Sequence, residues 1–254
     1  MWNDTFIKGS DAMKWILTCL FILASGVAEA SLWDDYDILL SKYIHQGERQ
    51  GIEVNLVDYK GLEQDPSFAK LVAQIRSFPL ATLVDRNEKL AFYINTYNIL
   101  TIQLIIDYKP KESIRDIGNI FSGPWDKIVL KNDQVKLSLD DIEHKIIRGL
   151  DEPRVHFALV CASLSCPDLS TSAYRASLLE TQLESQAQTF LRQETKGFKI
   201  GKNELFLSKI FDWYEDDFEK NGGIRSFVSR YREESLVGKW RVKHLEYNWT
   251  LNKL

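Results

Sequence analysis

The sequence predicts an α+β fold: a single compact domain in which a buried central helix packs on short, mainly antiparallel strands. The central helix is predicted by residues 88–108, which have almost no polar face and end before Pro110. Residues 125–138 and 198–208 alternate apolar and polar side chains around a turn, as hairpins do. Helices combined with antiparallel hairpins are typical of the α+β class.

Local patterns predict the other elements in chain order. Apolar residues at helical spacing predict four more helices, at residues 31–44, 139–150, 172–191 and 208–218. Ser138 and Ser208 are placed to cap the second and fourth of these. Short apolar runs predict two single strands, at residues 54–59 and 155–160. The last segment, residues 239–252, is expected to be extended or irregular.

The N-terminus has the three-part pattern of a secretory signal peptide. After Met13 and a lysine come about a dozen mostly apolar residues, fewer than the ~20 of a membrane span. The segment ends in a small-x-small cleavage pattern at residues 28–30. We therefore expect translation to begin at Met13, residues 1–30 to be removed, and residues 31–254 to form one domain. The protein would then be exported, periplasmic or secreted, with no stable membrane span. An uncleaved anchor helix is the alternative.

Charge and composition exclude some partners. The formal net charge is −4, and the first thirty residues, with three acids and two bases, contribute −1 of it, which leaves about −3 for the mature chain. Such a chain has no basic field, so neither nucleic acid nor anionic lipid is an expected partner. An apolar content of 44% can bury a good core, and no linker or internal repeat divides the chain.

Two asparagines interrupt the apolar central helix. Asn95 and Asn98 are three residues apart and therefore share one helical face. Buried amides need hydrogen-bond partners, because each would otherwise cost a few kcal/mol. One hypothesis is that they fasten loops by bonding backbone groups. The other is that one of them orients a catalytic histidine or contributes to an oxyanion site.

The acids, histidines and cysteines are the other candidates for chemistry. Glu143 and His144 are adjacent, so a helix would point them about 100° apart, near the edge of its apolar face. On a straight strand over 155–160, His156 and Cys161 would lie on opposite faces. A direct pair would then need a bulge, whereas His144 could meet Cys161 from a neighbouring element.

Cys161 and Cys166 are separated by the short, flexible segment ASLS. In an exported protein two such cysteines are expected to form a disulfide, which for so short a loop stabilises by about 2 kcal/mol. Their spacing is not that of a zinc knuckle, and only one histidine is close in sequence, so no metal is predicted. Phosphate-binding, dinucleotide-binding and GxSxG motifs are absent, and no cofactor is predicted.

A family resemblance runs in order from about Trp33 to the C-terminus and is carried by six blocks: LAFYINTYNILTIQL, SIRDI…PWD, LSLDDIEHKIIR, PRVHFALVCASLSCPDL, LSKIFDWYEDDF and YNWTLN. Together they resemble the domain-of-unknown-function 547 family (DUF547), and its exported bacterial branch in particular. The resemblance implies no established reaction. It marks Asn95, Asn98, Glu143, His144, His156, Cys161, Ser163, Trp213 and Tyr214 as motif positions. In the intracellular plant branch the position of Cys166 resembles a serine, so a disulfide cannot be the family's reason for Cys161.

Two functional hypotheses follow. The first is a binding or structural module of the cell envelope, with a Cys161–Cys166 disulfide bracing one loop and an unidentified peptide or envelope polymer as ligand. The alternative is a thiol-dependent hydrolase or acyltransferase. In that enzyme Cys161 is the nucleophile, His144 or His156 its base, and Asn95 or Glu143 the orienting group. The spatial arrangement of these five residues distinguishes the two hypotheses.

Overall fold

The structure is a computed structural model that describes residues 32–119, 121–133, 135–232, 236 and 239–254. Residues 1–31, which hold the predicted signal peptide, lie outside the described residues. The α-helices are α1 at residues 32–43, α2 Tyr59–Gln64, α3 Pro66–Arg76, α4 Arg86–Tyr108, α5 Leu179–Arg192, α6 Ile210–Trp213, α7 Glu215–Glu219 and α8 Ile224–Ser229. The strands are β1 Ile44–Arg49, β2 Ile52–Val57, β3 Ile128–Lys131, β4 Lys136–Ser138, β5 Phe198–Ile200, β6 Glu204–Leu207 and β7 Arg241–His244.

Helices and three small sheets confirm the α+β class. The pairs β1–β2 and β3–β4 are antiparallel two-stranded sheets, and β5–β6 is an antiparallel hairpin extended by β7, which runs parallel to β6. Both predicted hairpins are present. The strand predicted at 54–59 is β2, and its partner β1 was missed. No helix among the described residues is long and apolar enough to cross a membrane.

The predicted central helix is α4. It begins at Arg86, two residues before the predicted start, because Asp85 caps it and forms a reciprocal capping box with Glu88. It ends at Tyr108, and Lys109 follows in the left-handed conformation. Fifteen of its residues are buried, from Leu90 to Ile105, including both asparagines. This helix therefore forms the middle of the main core, as the sequence predicts.

The predicted strand at 155–160 is wrong. Pro153–Phe157 form a 3₁₀ helix instead. Pro153 stands at its first turn, the Glu152 carboxylate accepts the Arg154 amide, and the Ala158 amide donates to the Val155 carbonyl. The run is apolar because it is buried in the core, and a short buried helix has the same apolar composition as a buried strand. The strand-parity argument that separated His156 from Cys161 therefore fails.

Three helix predictions need adjustment. The helix predicted at 139–150 is mainly a π-helix, Asp141–Ile147, followed by a 3₁₀ turn, Arg148–Leu150. Ser138 caps it as predicted, since its hydroxyl accepts the Asp141 amide and the Asp141 carboxylate accepts the Ser138 amide. The amphipathic helix predicted from residue 172 begins only at Leu179, and the helix predicted at 208–218 is divided into α6 and α7 at Tyr214.

The C-terminal segment, residues 247–254, is mostly irregular and runs beside the loop that holds the two cysteines. We call residues 161–166 the cysteine loop. Its Leu164 amide donates to the Thr250 carbonyl at 2.9 Å, and the Asn252 amide donates to the Ala162 carbonyl at 3.1 Å. The same segment reaches β2, where the Val57 amide donates to the Asn252 carbonyl. The end of the chain thus fixes the cysteine loop against the first hairpin.

Candidate functional site

Six of the predicted site residues line one cavity of about 610 Å³, which we call the cleft: Glu143, His144, His156, Cys161, Trp213 and Tyr214. They come from separate parts of the fold. The π-helix supplies two, the 3₁₀ helix and the cysteine loop supply one each, and two lie around the break between α6 and α7. Cys166 also borders the cleft. Tertiary packing therefore brings together residues as distant in the chain as Glu143 and Tyr214, 71 positions apart.

The Cys161 thiol lies at the edge of the cleft between two hydroxyl groups. Its Sγ is 3.1 Å from the Tyr247 hydroxyl and 3.2 Å from the Ser163 hydroxyl. Burial opposes ionisation, but hydrogen bonds from the Cys166 thiol, Ser163 and Tyr247 favour the thiolate and lower the pKa of Cys161 below its usual value. Ser163 is itself fully buried, so it acts on the thiol and not on a ligand.

The next residue, Ala162, has a φ of 59°. This left-handed conformation is strained for a residue with a β-carbon and reverses the chain after Cys161. The reversal brings Cys166 back, so that the Cys161 amide lies 2.8 Å from the Cys166 Sγ. Both cysteines are free thiols in the structure, and the disulfide stays a prediction. Cys166 is almost completely buried, and burial raises its pKa well above the usual value.

His156 belongs to a charged chain with Asp217 and Arg148. The His156 Nε2 lies 2.9 Å from the Asp217 Oδ2, and the Arg148 guanidinium donates to both oxygens of the same carboxylate, at 2.6 and 2.9 Å. The hydrogen bond from His156, followed by those from Arg148, holds the pKa of Asp217 well below its usual range. A carboxylate at Nε2 fixes the proton on that nitrogen. The other ring nitrogen, Nδ1, is buried without a hydrogen-bond partner among the described residues.

Tyr214 connects the histidine to the remaining acid. Its ring stacks on His156 with centroids 3.8 Å apart and planes 20° from parallel. Its hydroxyl donates to the Glu143 Oε1 at 2.5 Å. Burial, with Glu143 beside it, raises the pKa of Tyr214 far above the usual value, so the phenol stays protonated. Glu143 is buried, in contrast to the predicted position at the edge of the helix.

His144 occupies a more open position than His156. Its Nδ1 is 2.7 Å from an Arg148 nitrogen, its Nε2 is 3.5 Å from Asp140, and 40% of the side chain is exposed. Among the described residues neither histidine is a hydrogen-bond partner of the Cys161 thiol, and the hydroxyl groups beside its sulfur are those of Ser163 and Tyr247. Both histidines do share the cleft with Cys161. The two histidines therefore differ in setting: His156 is buried and oriented by a carboxylate, whereas His144 is partly exposed beside Arg148.

The two asparagines lie away from the cleft and fasten loops. Asn95 donates to the Tyr174 carbonyl at 2.8 Å and accepts the Tyr174 amide at 2.9 Å. Asn98 donates to the Ala158 carbonyl at 2.9 Å and accepts the Val160 amide at 2.9 Å. Asn98 thereby holds the chain just before Cys161. These contacts match the hypothesis of backbone fastening, and they give Asn98 an indirect role in placing the thiol.

Aromatic side chains form the mouth of the cleft. Trp213 is 45% exposed and lies 4.8 Å from the Tyr247 ring and 5.6 Å from the Trp249 ring, between centroids. The Trp125 ring centroid lies 5.9 Å from that of Trp249, and the Arg115 guanidinium lies 5.2 Å from the centroid of the Trp249 ring. A ligand entering the cleft would meet several flat apolar faces and one cation.

Sequence analysis missed two residues that contact the candidate chemistry directly. The sequence contained a signal for Asp217, because it is the fourth residue after Trp213 in a predicted helix and would share a face with it. The signal was not used, because its partner His156 was assigned to a strand. Tyr247 gave no local signal, because it lies in an irregular segment 86 positions from Cys161. No group of three or more His, Cys, Asp or Glu side chains within the described ranges is arranged to hold a metal ion.

A family model described as "Protein of unknown function, DUF547" matches residues 81–191. The match supports the resemblance over α4, the π-helix, the cysteine loop and α5. Asp217, Tyr214 and Tyr247 lie beyond the matched segment. No curated protein and no solved structure matches the chain.

Proposed function

We propose that this chain is a thiol-dependent hydrolase or acyltransferase in which Cys161 is the nucleophile. One observation carries the proposal: a cysteine whose pKa is lowered shares a cavity with a buried histidine that a carboxylate orients. A nucleophile, a proton-transfer group and an orienting acid are the parts that covalent acyl transfer needs. Enclosure in one cleft supports this function over the binding module favoured by the sequence alone.

The first step is attack of the Cys161 thiolate on the carbonyl carbon of a bound ester or amide. The carbon–sulfur bond forms, and the electron pair of the carbonyl moves to its oxygen. Collapse of this intermediate expels the alcohol or amine and leaves a thioester on Cys161. Tyr247 and Ser163 contribute by stabilising the thiolate before attack, since their hydroxyls lie at hydrogen-bond distance from its sulfur.

Proton transfer is assigned to His156. As the imidazolium it gives a proton to the leaving group, and as the neutral base it then takes one from the water or acceptor that attacks the thioester. Asp217 keeps the ring in one orientation through its hydrogen bond to Nε2. The final attack releases the acid or the transferred acyl product and regenerates the thiol, so no other reactant is needed.

We extend the proposal to location and substrate. The signal-peptide pattern supports export to the periplasm or secretion, and the six sequence blocks support placement in the exported bacterial branch of the DUF547 family. An exported acyl-transfer enzyme would meet peptides and envelope polymers. The aromatic mouth of the cleft suits a ligand with flat apolar faces next to the reacting carbonyl.

p-Nitrophenyl acetate, an activated ester that needs little substrate recognition, tests the proposal. The wild-type protein is expected to release a burst of nitrophenol and to carry a hydroxylamine-sensitive acetyl group at Cys161, located by mass spectrometry. His156→Gln should slow the reaction. The matched control His45→Gln changes a histidine of β1 outside the cleft and should react as wild type does. Absence of both burst and acetyl adduct on a folded, reduced protein would overturn the proposal.

The binding module remains the second candidate, because the aromatic mouth favours it independently of the thiol. In that case a peptide or polymer would bind to Trp213, Tyr247 and Trp249, and Cys161 would have only a structural role in the cysteine loop. Trp213→Ala would then weaken ligand binding while Cys161→Ser left it intact. The ester reaction separates the two candidates, since a binding module gives no acetyl adduct at Cys161.

A further inference from the structure

The two thiols of the cysteine loop are adjacent but differ in access. Both border the cleft, but Cys161 is partly exposed, whereas Cys166 is only 3% exposed. The Cys166 sulfur accepts the Cys161 amide at 2.8 Å and lies 3.8 Å from the Leu159 carbonyl oxygen. One thiol can therefore meet a molecule in the cleft, while the other can meet little except its neighbour.

The loop is built to keep the two sulfurs together. Ala162 reverses the chain in the left-handed conformation, and the Cys166 amide donates to the Ser163 carbonyl at 3.2 Å. The C-terminal segment holds the loop from outside through the Leu164 and Asn252 backbone bonds. The turn at Ala162 is strained, and the loop is fixed on both sides. Such strain persists only where the surrounding structure enforces it, and it is common at functional sites. The enforced proximity of the two cysteines therefore indicates a function.

We propose that Cys161 and Cys166 form a reversible dithiol–disulfide couple that exchanges with disulfides entering the cleft. This is a second activity of the same thiol: it rests on the reactivity of Cys161 in the proposed function, but not on acyl transfer. The substrate class is a small disulfide or a disulfide in an extended peptide, because Cys166 lies too deep to meet one directly.

The exchange balances in two steps. The Cys161 thiolate attacks one sulfur of the substrate disulfide, a mixed disulfide forms, and the other substrate sulfur leaves as a thiolate that takes a proton from water. Cys166 then loses its proton to solvent and attacks the Cys161 sulfur, which releases the second substrate thiol after protonation. The protein dithiol is oxidised by two electrons and the substrate disulfide is reduced by two. The reverse sequence oxidises a substrate dithiol.

The environment of the thiols fits this order of events. Cys161 has the lowered pKa expected of both the first attacking thiol and a good leaving group. The pKa of Cys166 is raised by burial and also by the neighbouring Cys161, with its hydrogen bond and its charge. Formation of the mixed disulfide removes that charge, so Cys166 ionises more easily at the step in which it must attack.

Oxidised glutathione is the probe that tests the couple. After incubation of the reduced protein, acid quench and mass spectrometry, wild type should contain a Cys161–Cys166 disulfide and retain no glutathione. Cys166→Ser should accumulate a stable glutathione adduct at Cys161. Cys161→Ser should leave Cys166 unmodified. Thr171→Ala, an exposed change outside the loop, should behave as wild type does, and Cys166→Ala replaces Cys166→Ser if that variant fails to fold.

Two results would overturn the couple. One is wild-type protein that keeps both thiols while Cys166→Ser forms no adduct. The other is wild-type protein that retains glutathione at Cys161, because Cys166 then fails to resolve the mixed disulfide. Either can be distinguished from failure of the acyl-transfer proposal, since the ester reaction of reduced protein is measured separately and does not need Cys166.

Discussion

The Nε2 of His156 and the Oδ2 of Asp217 lie 2.9 Å apart, although 61 positions separate the two residues in the chain. Arg148 completes the group by donating two hydrogen bonds to the same carboxylate. The Asp217 carboxylate is largely buried, so its negative charge depends on these two partners. Asp217 is therefore expected to contribute to stability and, in the proposed mechanism, to orient His156, which makes it the first target for mutation.

We predict that Asp217→Asn destabilises the protein by roughly 1–3 kcal/mol at neutral pH, because the charge-assisted hydrogen bonds are lost. The folded pKa of Asp217 is lowered, so its stabilising contribution is complete above the unfolded value of about 4 and shrinks as the pH falls below it. Urea midpoints at several pH values check this. The stability of the Asp217→Asn variant should fall less between neutral and acid pH than that of wild type. The control Asp216→Asn, at the exposed neighbouring residue, should keep the full wild-type pH dependence.

A second prediction concerns the fastening of the chain before Cys161. Asn98→Leu should destabilise by roughly 1–3 kcal/mol, because the Ala158 carbonyl and the Val160 amide would be buried without their partner. Denaturant unfolding measures the effect. Asn87→Leu, on the exposed first turn of the same helix, should change stability by less than about 0.5 kcal/mol. Equal effects of the two substitutions would contradict the assigned hydrogen bonds.

The third prediction concerns the thiol. Tyr247→Phe removes a hydroxyl 3.1 Å from the Cys161 sulfur, so the pKa of Cys161 should rise toward its usual value. The rate of alkylation by iodoacetamide as a function of pH, with the labelled residue identified by mass spectrometry, gives the midpoint. It should move to higher pH. Tyr231→Phe removes a buried hydroxyl that bonds Glu184 elsewhere and should leave the midpoint unchanged.

The fourth prediction concerns processing. Expressed in a secretion-competent bacterial host, the mature protein should begin at Ser31, because Ala28 and Ala30 fit the small pockets of signal peptidase. Intact mass or N-terminal sequencing determines the start. Ala30→Leu should block cleavage, and Ala24→Leu inside the apolar segment should not. A mature species that still contains residues 15–21 would contradict export by cleavage.

Elements with a complete local signal were predicted from the sequence, and long-range contacts were not. Helix α4 was predicted because its composition and the following proline are sufficient, and the hairpins because alternation and turns are local. Residues 155–160 were misassigned because a short buried run has the same composition in a strand and in a 3₁₀ helix. Hydrogen bonding of the asparagines followed from burial alone, but their partners, Tyr174 and the chain around Val160, depend on tertiary folding.

The candidate site divides in the same way, into positions that local motifs identify and contacts that depend on the packing of distant segments. Six of the nine motif positions line the cleft, and their functional role stays a prediction. The pairing of His156 with Asp217 and of Cys161 with Tyr247 depends on how distant segments pack, which no local pattern encodes. The preference for His144 as the partner of the thiol depended on a strand at residues 155–160, and that argument fails because His156 lies in a 3₁₀ helix.

The position of Tyr247, 86 residues after Cys161, has a consequence for the order in which the chain is made. A ribosome or a translocation channel releases the cysteine loop long before the segment that supports it. Until residues 247–252 dock, Cys161 lacks the Tyr247 hydroxyl and its loop lacks the Thr250 and Asn252 backbone bonds. The emerging chain therefore carries an ordinary cysteine. The surroundings of the thiol are complete only after nearly the whole protein has emerged and folded, so the chemistry that we propose for Cys161 would begin only then.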